Sequence, residues 1–281
     1  KKTLKESKDI LAQKIVNKGH YIDKLAESSN NKELKYMYDR NLNSFAEGQY
    51  VIGNAQTDNN GNVIGKSVND IWKPAEQSNL VQEFSEYLLH KHNIDRSERK
   101  KYVFGDEIGP ADSTRIALNL EEKYPQFKEW AKDVYKFNDN NLKLLKEAGL
   151  LSQDTIDYIK NMYPNYVTIS RDVEQSLLGK SNNKTGTALP LKQATGGNSD
   201  IQPLKDAMAQ QAIRIKKLIN QNNLGKELGK TLKNAKVKQE YDIEIAPSEL
   251  FELDTLVDED AEGNKYYTYF EDGKQQKLEI N

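Results

Sequence analysis

The sequence predicts a mainly α fold, an elongated multi-helix body with a small C-terminal β-hairpin element. Several segments repeat apolar residues at three-to-four spacing, which is the pattern of one helix face. The strand-like runs Tyr266–Phe270 and Lys277–Ile280 flank Asp272-Gly273, a strong hairpin signal. Only 36% of the 281 residues are hydrophobic and 30% are charged, so we expect a thin core or an elongated shape.

Residues 1–174 are interpreted as a helical body. Its first helices are predicted over 4–27 and 32–52, where apolar residues recur at helical spacing. Asn30 or Asn31 is a suitable N-cap for the second helix, because a short side-chain oxygen can accept a hydrogen bond from the first turn.

A dense turn sequence, Asp58-Asn59-Asn60-Gly61-Asn62, interrupts this helical pattern. These residue types favour tight turns, so we predict a turn or small hairpin between helices. The next helix opens with Ile71-Trp72-Lys73-Pro74 and is predicted to run to about His92. Pro74 is tolerated in a first turn because the N–H that it lacks has no helical partner there.

Three further helical segments follow. A shorter helix is predicted over 111–123, and Pro125 starts the next one. Gly149 is placed to end that helix in the left-handed conformation, which glycine adopts without strain. Ser152 is the predicted N-cap of the third helix, which stops before Pro164.

The rest of the chain divides into three parts. Residues 175–200 are rich in Ser, Asn, Gly, Thr and Lys, so they are interpreted as a flexible loop. Residues 201–238 are predicted to form a long basic helix that begins at Pro203. Residues 239–281 are interpreted as an acidic segment with the β-hairpin, since they contain thirteen Asp or Glu against three Lys.

Composition disfavours several classes of protein and site. The absence of cysteine excludes disulfides, thiolate metal sites and a cysteine nucleophile. No apolar run reaches the ~20 residues that a membrane span needs. Neither a phosphate-binding loop nor a serine-nucleophile motif is present, so we predict no enzymatic activity, no metal site and no cofactor. The chain begins without Met and ends directly after a strand-like run, so we expect it to be part of a longer polypeptide.

Three groups of polar residues are candidate sites, and each has a simpler interpretation. His90 and His92 stand about 200° apart around a helix, so they are predicted to be exposed residues at a helix end. The Asp58–Asn62 run lacks the ligand spacing of a calcium loop. The third group is a set of carboxylates that a loop and a helix N-cap explain. Its members are Asp106, Glu107 and Asp112.

A basic stretch within 201–238 is the main candidate binding site. It could neutralise phosphates on DNA, since Lys and Arg supply much of the affinity of such interfaces. It lacks interleaved aromatic residues, and the acidic segment beyond residue 239 could fold back over it. A solvated or paired helix face is therefore favoured over nucleic-acid contact. The candidate residues are Arg214, Lys216, Lys217, Lys226, Lys230 and Lys233.

Two neighbouring motifs resemble a stretch of phage large polyvalent proteins. They are Leu144-Leu145-Lys146-Glu147-Ala148-Gly149-Leu150-Leu151-Ser152 and Tyr163-Pro164-Asn165-Tyr166-Val167, followed by Arg171. In that family a helix ends in Gly-Leu-Ile-Ser, and a short helix is followed by a Pro-x-Tyr-Val-Pro-x-x-Arg segment. A variable loop, a long helix and a turn with Asp-Gly or Asn-Gly come next. The similarity covers about residues 40–280, and Thr168 stands where the family prefers Pro.

The resemblance implies a helical connecting module of a very long phage protein. Some such proteins are internal virion proteins that enter the host with the DNA. We therefore expect a non-enzymatic cargo or DNA-ejection protein fragment in the virion interior, with delivery to the host cytoplasm on infection. Its expected partners are other phage virion proteins or further copies of itself. Two alternatives stay open: contact with packaged DNA through the basic helix at 214–238, and an accessory module of a larger phage enzyme.

Overall fold

The computed structural model describes residues 22, 25–27, 29–96, 103–104, 108–169, 201–234, 257–259 and 265–279. Helices dominate these residues, and the predicted mainly α fold with a C-terminal β-hairpin is confirmed. The main helices in these residues are α1 (Lys32–Leu42), α2 (Ser44–Gly53), α3 (Val68–Gln77), α4 (Val81–Asp95), α5 (Pro110–Lys123), α6 (Phe127–Glu147), α7 (Gln153–Met162) and α8 (Leu204–Asn234). The strands are β1 (Gln56–Thr57), β2 (Val63–Gly65), β3 (Val257–Glu259), β4 (Lys265–Glu271) and β5 (Lys274–Glu279).

Three predicted helix ends are confirmed. Asn31 Oδ1 accepts a hydrogen bond from the Leu34 N–H at 3.1 Å, so Asn31 is the N-cap of α1. Ser152 Oγ accepts from the Thr155 N–H at 3.3 Å and caps α7 in the same way. Gly149 follows α6 with a φ of +84°, the left-handed conformation that closes a helix. These features depend on neighbouring residues alone, which is why the sequence reveals them.

The single helix predicted over 32–52 is two helices, α1 and α2, separated at Asn43. Asn43 Nδ2 donates to Asp39 O at 2.8 Å, and Ser44 Oγ donates to Asn41 O at 2.6 Å. Such local side-chain bonds compete with the backbone bonds that would continue a helix. Apolar periodicity continues across the break and therefore does not reveal it.

The helix predicted to open around Pro74 starts earlier and ends sooner than expected. It begins at Val68, so Pro74 lies inside α3 rather than in its first turn. Asn79 then has a φ of +54°, and the Leu80 N–H donates to Ala75 O at 2.9 Å. This is the hydrogen-bond pattern of a left-handed cap, which Asn tolerates better than most residues. A continuous helix to His92 is therefore wrong, and α4 is a separate element.

The first core cluster contains a group of aromatic rings from α3, α4 and α6. The Phe84 ring lies at its centre, with centroids 5.4 Å from Trp72, 5.3 Å from Phe127 and 5.6 Å from Trp130. Large rings that pack edge-to-face bury much apolar area and restrict how their helices can cross. Trp72 Nε1 also donates to Met208 Sδ at 3.2 Å, which joins α8 to this core.

A second core cluster lies where α6, α7 and α8 meet the C-terminal sheet. Phe270 of β4 belongs to this cluster, so the sheet is part of the folded body. The most deeply buried members are Leu144, Leu145, Ala148, Leu150 and Ile219.

The predicted Asp272-Gly273 hairpin is confirmed. Asp272 and Gly273 have φ values of +47° and +73°, as the tight turn between β4 and β5 requires. β3 pairs antiparallel with the other edge of β4, which gives a three-stranded sheet. β4 packs against α8, and the Gly273 N–H donates to Gly149 O at 3.0 Å. This part of the acidic segment therefore lies on the long helix.

The predicted long helix extends from Leu204 to Asn234 without a break at Gly225. It contacts α1 and α2 as well as β4, and it joins both core clusters. Among the described residues, none of the helices is both long and apolar enough to cross a membrane.

Candidate interaction surface

The basic residues predicted as a binding site on α8 lie in different environments. Arg214, Lys217 and Lys230 are exposed, whereas Lys216 is buried with 8% of its surface exposed. Adjacent helical residues differ by ~100° in direction, so Lys216 and Lys217 cannot share a face. Lys233 belongs to α8, but its side chain lies outside the described residues. The structure therefore separates Lys216 from the exposed members of the predicted set.

Lys226 and Lys230 both contact groups of this chain. Lys226 Nζ donates to Ala148 O at 3.4 Å, at the carboxyl end of α6 where a cation complements the helix dipole. Lys230 Nζ lies 3.5 Å from Glu227 Oε2, one turn earlier on α8. Lys226 therefore lies at the end of α6, whereas Lys230 lies beside Glu227, whose carboxylate accepts a hydrogen bond from Asn31 of the α1 N-cap.

His90 and His92 are buried, so the prediction that they are exposed is wrong. His90 Nδ1 lies 3.0 Å from Ser113 Oγ of α5, and the His92 ring centroid lies 5.5 Å from that of Tyr166. Burial lowers the pKa of both rings, and for His92 it and the nearby Arg96 guanidinium lower the pKa to about 3. Elements distant in sequence cover this helix end, so the periodicity of α4 could not predict the burial.

The Asp58–Asn62 run is a closed turn between β1 and β2. Asp58 Oδ1 accepts from the N–H groups of Asn60 at 2.8 Å and Asn62 at 2.9 Å. A hydrogen bond from the Asn62 side chain, together with these backbone bonds, lowers the pKa of the Asp58 carboxyl. The predicted small hairpin is thus confirmed, and the carboxylate is already engaged by the turn itself.

Of the carboxylates in the third predicted group, the structure describes only Asp112. Asp112 lies in the first turn of α5 with its Oδ1 3.4 Å from Arg115 Nη2. In the part of the chain that the structure describes, no group of three or more His, Cys, Asp or Glu residues could hold a metal ion. Asp106, Glu107, Arg171 and the predicted loop at 175–200 lie outside the described residues.

The α1–α2 hairpin exposes several large hydrophobic side chains. They are Tyr36 (53% exposed), Leu42 (61%), Phe45 (61%) and Tyr50 (59%). Single exposed apolar residues are ordinary, but a local group of them is typical of a surface that another molecule covers. We name these four residues the α1–α2 surface.

An ion pair joins the two helices beside the α1–α2 surface. Arg40 Nε and Nη2 donate to the two carboxylate oxygens of Glu47 at 3.1 and 2.8 Å. Asn220 Nδ2 of α8 lies 3.2 Å from Glu47 Oε2 and also donates to Arg40 O at 3.0 Å. Partial burial would raise the pKa of the Glu47 carboxyl, but the hydrogen bonds from Arg40 and Asn220 to its oxygens bring the pKa below its ordinary value. The hairpin is therefore held to α8 by polar contacts on this side.

Sequence reasoning missed the α1–α2 surface because it could not choose the inner face of α2. In the structure the inner face carries Ser44, Gly48 and Val51, which are buried. A Cβ added at Gly48 would lie 2.4 Å from the Ile213 Cα, so α2 and α8 approach closely there. Ser44 and Gly48 are small residues one helical turn apart, and such a pair indicates a close approach of two helices. Because this face of α2 packs inward, Phe45 is exposed.

No protein-family model matches the chain, and no solved structure matches it.

Proposed function

We propose that the chain is a non-enzymatic part of a larger bacteriophage protein that resides in the virion as cargo and makes protein–protein contacts there. The assignment to a phage protein rests on the motif resemblance at Leu144–Ser152 and Tyr163–Val167. The contact role rests on the exposed hydrophobic residues of α1 and α2.

The observation that carries the contact role is the composition of the α1–α2 surface. Tyr36 and Tyr50 are exposed over more than half of their area, and Arg40 of α1, whose guanidinium contacts Tyr36 and Glu47, lies beside this surface. Tyr and Arg are enriched where protein interfaces concentrate their binding energy, because they combine a large apolar area with hydrogen-bonding groups. A partner protein, or a second copy of the chain, would cover this surface.

Purified particles provide the test. Mass spectrometry of the particles should find peptides of this region, and a photo-reactive amino acid at position 45 should cross-link to a virion protein. The same amino acid at position 118 is the matched control, because Leu118 is equally exposed (59%) but lies on α5. Particles without these peptides, or equal cross-linking from both positions, would contradict the proposal.

A second candidate function is contact with packaged DNA. The exposure of Arg214, Lys217 and Lys230 favours it, since exposed cations can neutralise phosphates. The full chain should then be retained on a DNA column, with retention that falls steeply as salt rises. If the variant with all three residues changed to Gln is retained as strongly as the parent, α8 does not make the DNA contact.

A further inference from the structure

We propose that a second copy of this chain covers the outer face of α2, with the two α2 helices antiparallel about a two-fold axis. This inference rests on the proposed contact function and names the chain itself as the partner of the α1–α2 surface. It follows from the order of large and small residues along the exposed side of α2.

Two adjacent rows of exposed residues run along the outer face of α2. Residues four apart form such rows on a helix, and helices pack by setting the rows of one into the grooves of the other. Phe45, Gln49 and Gly53 form the first row, and Ala46 and Tyr50 form the second. The large residue therefore stands near the amino end in one row and near the carboxyl end in the other.

The Gly53 end of the first row is an open position. Outside its own helix and chain neighbours, the nearest described atom to an added Cβ would be Asn69 Nδ2, at 4.0 Å. Phe45, two turns away, leaves 61% of its surface exposed. The same row thus offers a ring at one end and space for a ring at the other.

Two-fold symmetry makes these rows complementary to themselves, because each residue of one copy meets its counterpart's partner in the other. An antiparallel pair with Phe45 against Gly53 of the second copy places the two Gln49 residues at the axis. It also brings Tyr50 within about two residues of Ala46 of the second copy, so a large residue again meets a small one. The Gln49 amides can exchange reciprocal hydrogen bonds, since each has a donor and an acceptor.

The charge of α2 also favours a second copy over a charged partner. Glu47 is the only charged residue in the sequence of α2, and the Arg40 guanidinium donates to both of its carboxylate oxygens. The outer face therefore offers no countercharge to a phosphate backbone or an acidic segment, and it does not repel a face like itself. An antiparallel pair also sets the amino end of each helix beside the carboxyl end of the other, which suits the helix dipoles.

The exposed area is sufficient for a weak dimer. Phe45, Tyr50 and Leu42 leave 61%, 59% and 61% of their surfaces exposed, and Leu42 lies at the amino end of α2. With the smaller residues between them, they offer about 500 Å² per copy, so that a pair reaches the lower limit of a specific interface. We therefore expect a dimer whose dissociation constant is in the micromolar range.

Sedimentation velocity of the full chain measures this self-association, and concentrations from about 1 to about 200 μM bracket a micromolar dissociation constant. Phe45→Ala removes the ring, and Gly53→Leu fills the open position. Each change should weaken the dimer by at least about tenfold, because the contact occurs twice in a symmetric pair. Leu118→Ala is the matched control and should leave the dimer unchanged, since Leu118 is equally exposed (59%) but lies on α5.

A mixture of the two α2 variants tests the antiparallel arrangement. In a mixed pair, Phe45 of the Gly53→Leu chain meets Gly53 of the Phe45→Ala chain, and the new leucine meets the new alanine at the other contact. We expect the mixture to dimerise more tightly than either variant alone, because both contacts are then filled without overlap. Circular dichroism of each variant, with a thermal midpoint close to that of the parent, shows that the chain is folded.

The absence of cysteine from the chain permits a direct test of the axis. Gln49→Cys introduces a single thiol, and mild oxidation should give a disulfide-linked dimer because the axis brings the two thiols together. Leu118→Cys is the control and should remain largely monomeric under the same oxidation. This test does not depend on the folding of Gly53→Leu.

A parent chain that stays monomeric at the highest concentration overturns the proposal, as does a dimer that Phe45→Ala and Gly53→Leu leave unchanged. Equal disulfide formation by Gln49→Cys and Leu118→Cys, or a mixture no tighter than its components, overturns the antiparallel pairing. Photo-cross-linking from position 45 in particles tests the contact function separately. Cross-links to a different virion protein, combined with a monomeric chain in solution, would reject only the pairing of two copies.

Discussion

Asn222 binds both backbone groups of Phe270 through its side-chain amide. Its Oδ1 accepts from the Phe270 N–H at 2.7 Å, and its Nδ2 donates to Phe270 O at 3.0 Å and to Ala148 O at 2.9 Å. The residue is buried, so these bonds replace hydration that the backbone groups of Phe270 and Ala148 lose on docking. One side chain of α8 thereby fixes the C-terminal sheet to the helical body.

Removal of this amide should loosen the sheet. We expect Asn222→Ala to lower the free energy of unfolding by about 1–3 kcal/mol, because buried backbone groups lose their partner. Urea unfolding measures this change, and hydrogen exchange should accelerate in β4. Asn223→Ala is the matched control, since Asn223 is only half-buried and makes no side-chain hydrogen bond to a described residue. Equal effects of the two changes would show that Asn222 does not hold the sheet.

The close approach of α2 and α8 gives a second prediction. Alanine inside a helix is ordinarily about 1 kcal/mol more favourable than glycine. At Gly48 the added Cβ would lie 2.4 Å from the Ile213 Cα, so the two helices must move apart. We expect Gly48→Ala to lower the free energy of unfolding by about 1–3 kcal/mol despite its better helix propensity.

Gly53→Ala at the end of the same helix is the control for this prediction. The nearest atom to its added Cβ is Asn69 Nδ2 at 4.0 Å, which is an ordinary contact. Its free energy of unfolding should stay within about 0.5 kcal/mol of the parent value. Thermal and urea unfolding of both variants provide the comparison, and a stabilised Gly48→Ala protein would refute the packing of α2 on α8.

The buried His92 predicts a dependence of stability on pH. Its pKa is about 3 in the folded chain and 6.5 for an ordinary histidine, so the unfolded chain binds the proton first as the pH falls. Stability should therefore decline from about pH 6.5 towards pH 3. This group alone lowers the free energy of unfolding by about 2 kcal/mol between pH 7.5 and pH 5.

Urea unfolding at several pH values between 7.5 and 5 measures the decline. His92→Phe should flatten the dependence by about 2 kcal/mol over this range, whatever its effect on stability at pH 7.5. The lowered pKa of His90 acts in the same direction, so a smaller slope remains in this variant. An unchanged slope would mean that His92 accepts a proton without disturbing the fold.

Local features of the chain could be predicted from the sequence. Asn31 and Ser152 cap helices, Gly149 ends one, and Asp272-Gly273 forms the hairpin turn, all as predicted. These structures depend on steric limits and hydrogen bonds within a few residues, so the identity of those residues is sufficient.

The tertiary structure alone decided which faces and charges are buried. His92 is a polar residue whose burial depends on the Tyr163–Tyr166 region, which is distant in sequence, and Lys216 is buried although the adjacent Lys217 is exposed. Phe45 and Val51 are both apolar residues of α2, yet packing on α8 buries Val51 and exposes Phe45. A helix with apolar residues on more than one side can pack in more than one orientation, and only the shape of its neighbours selects between them.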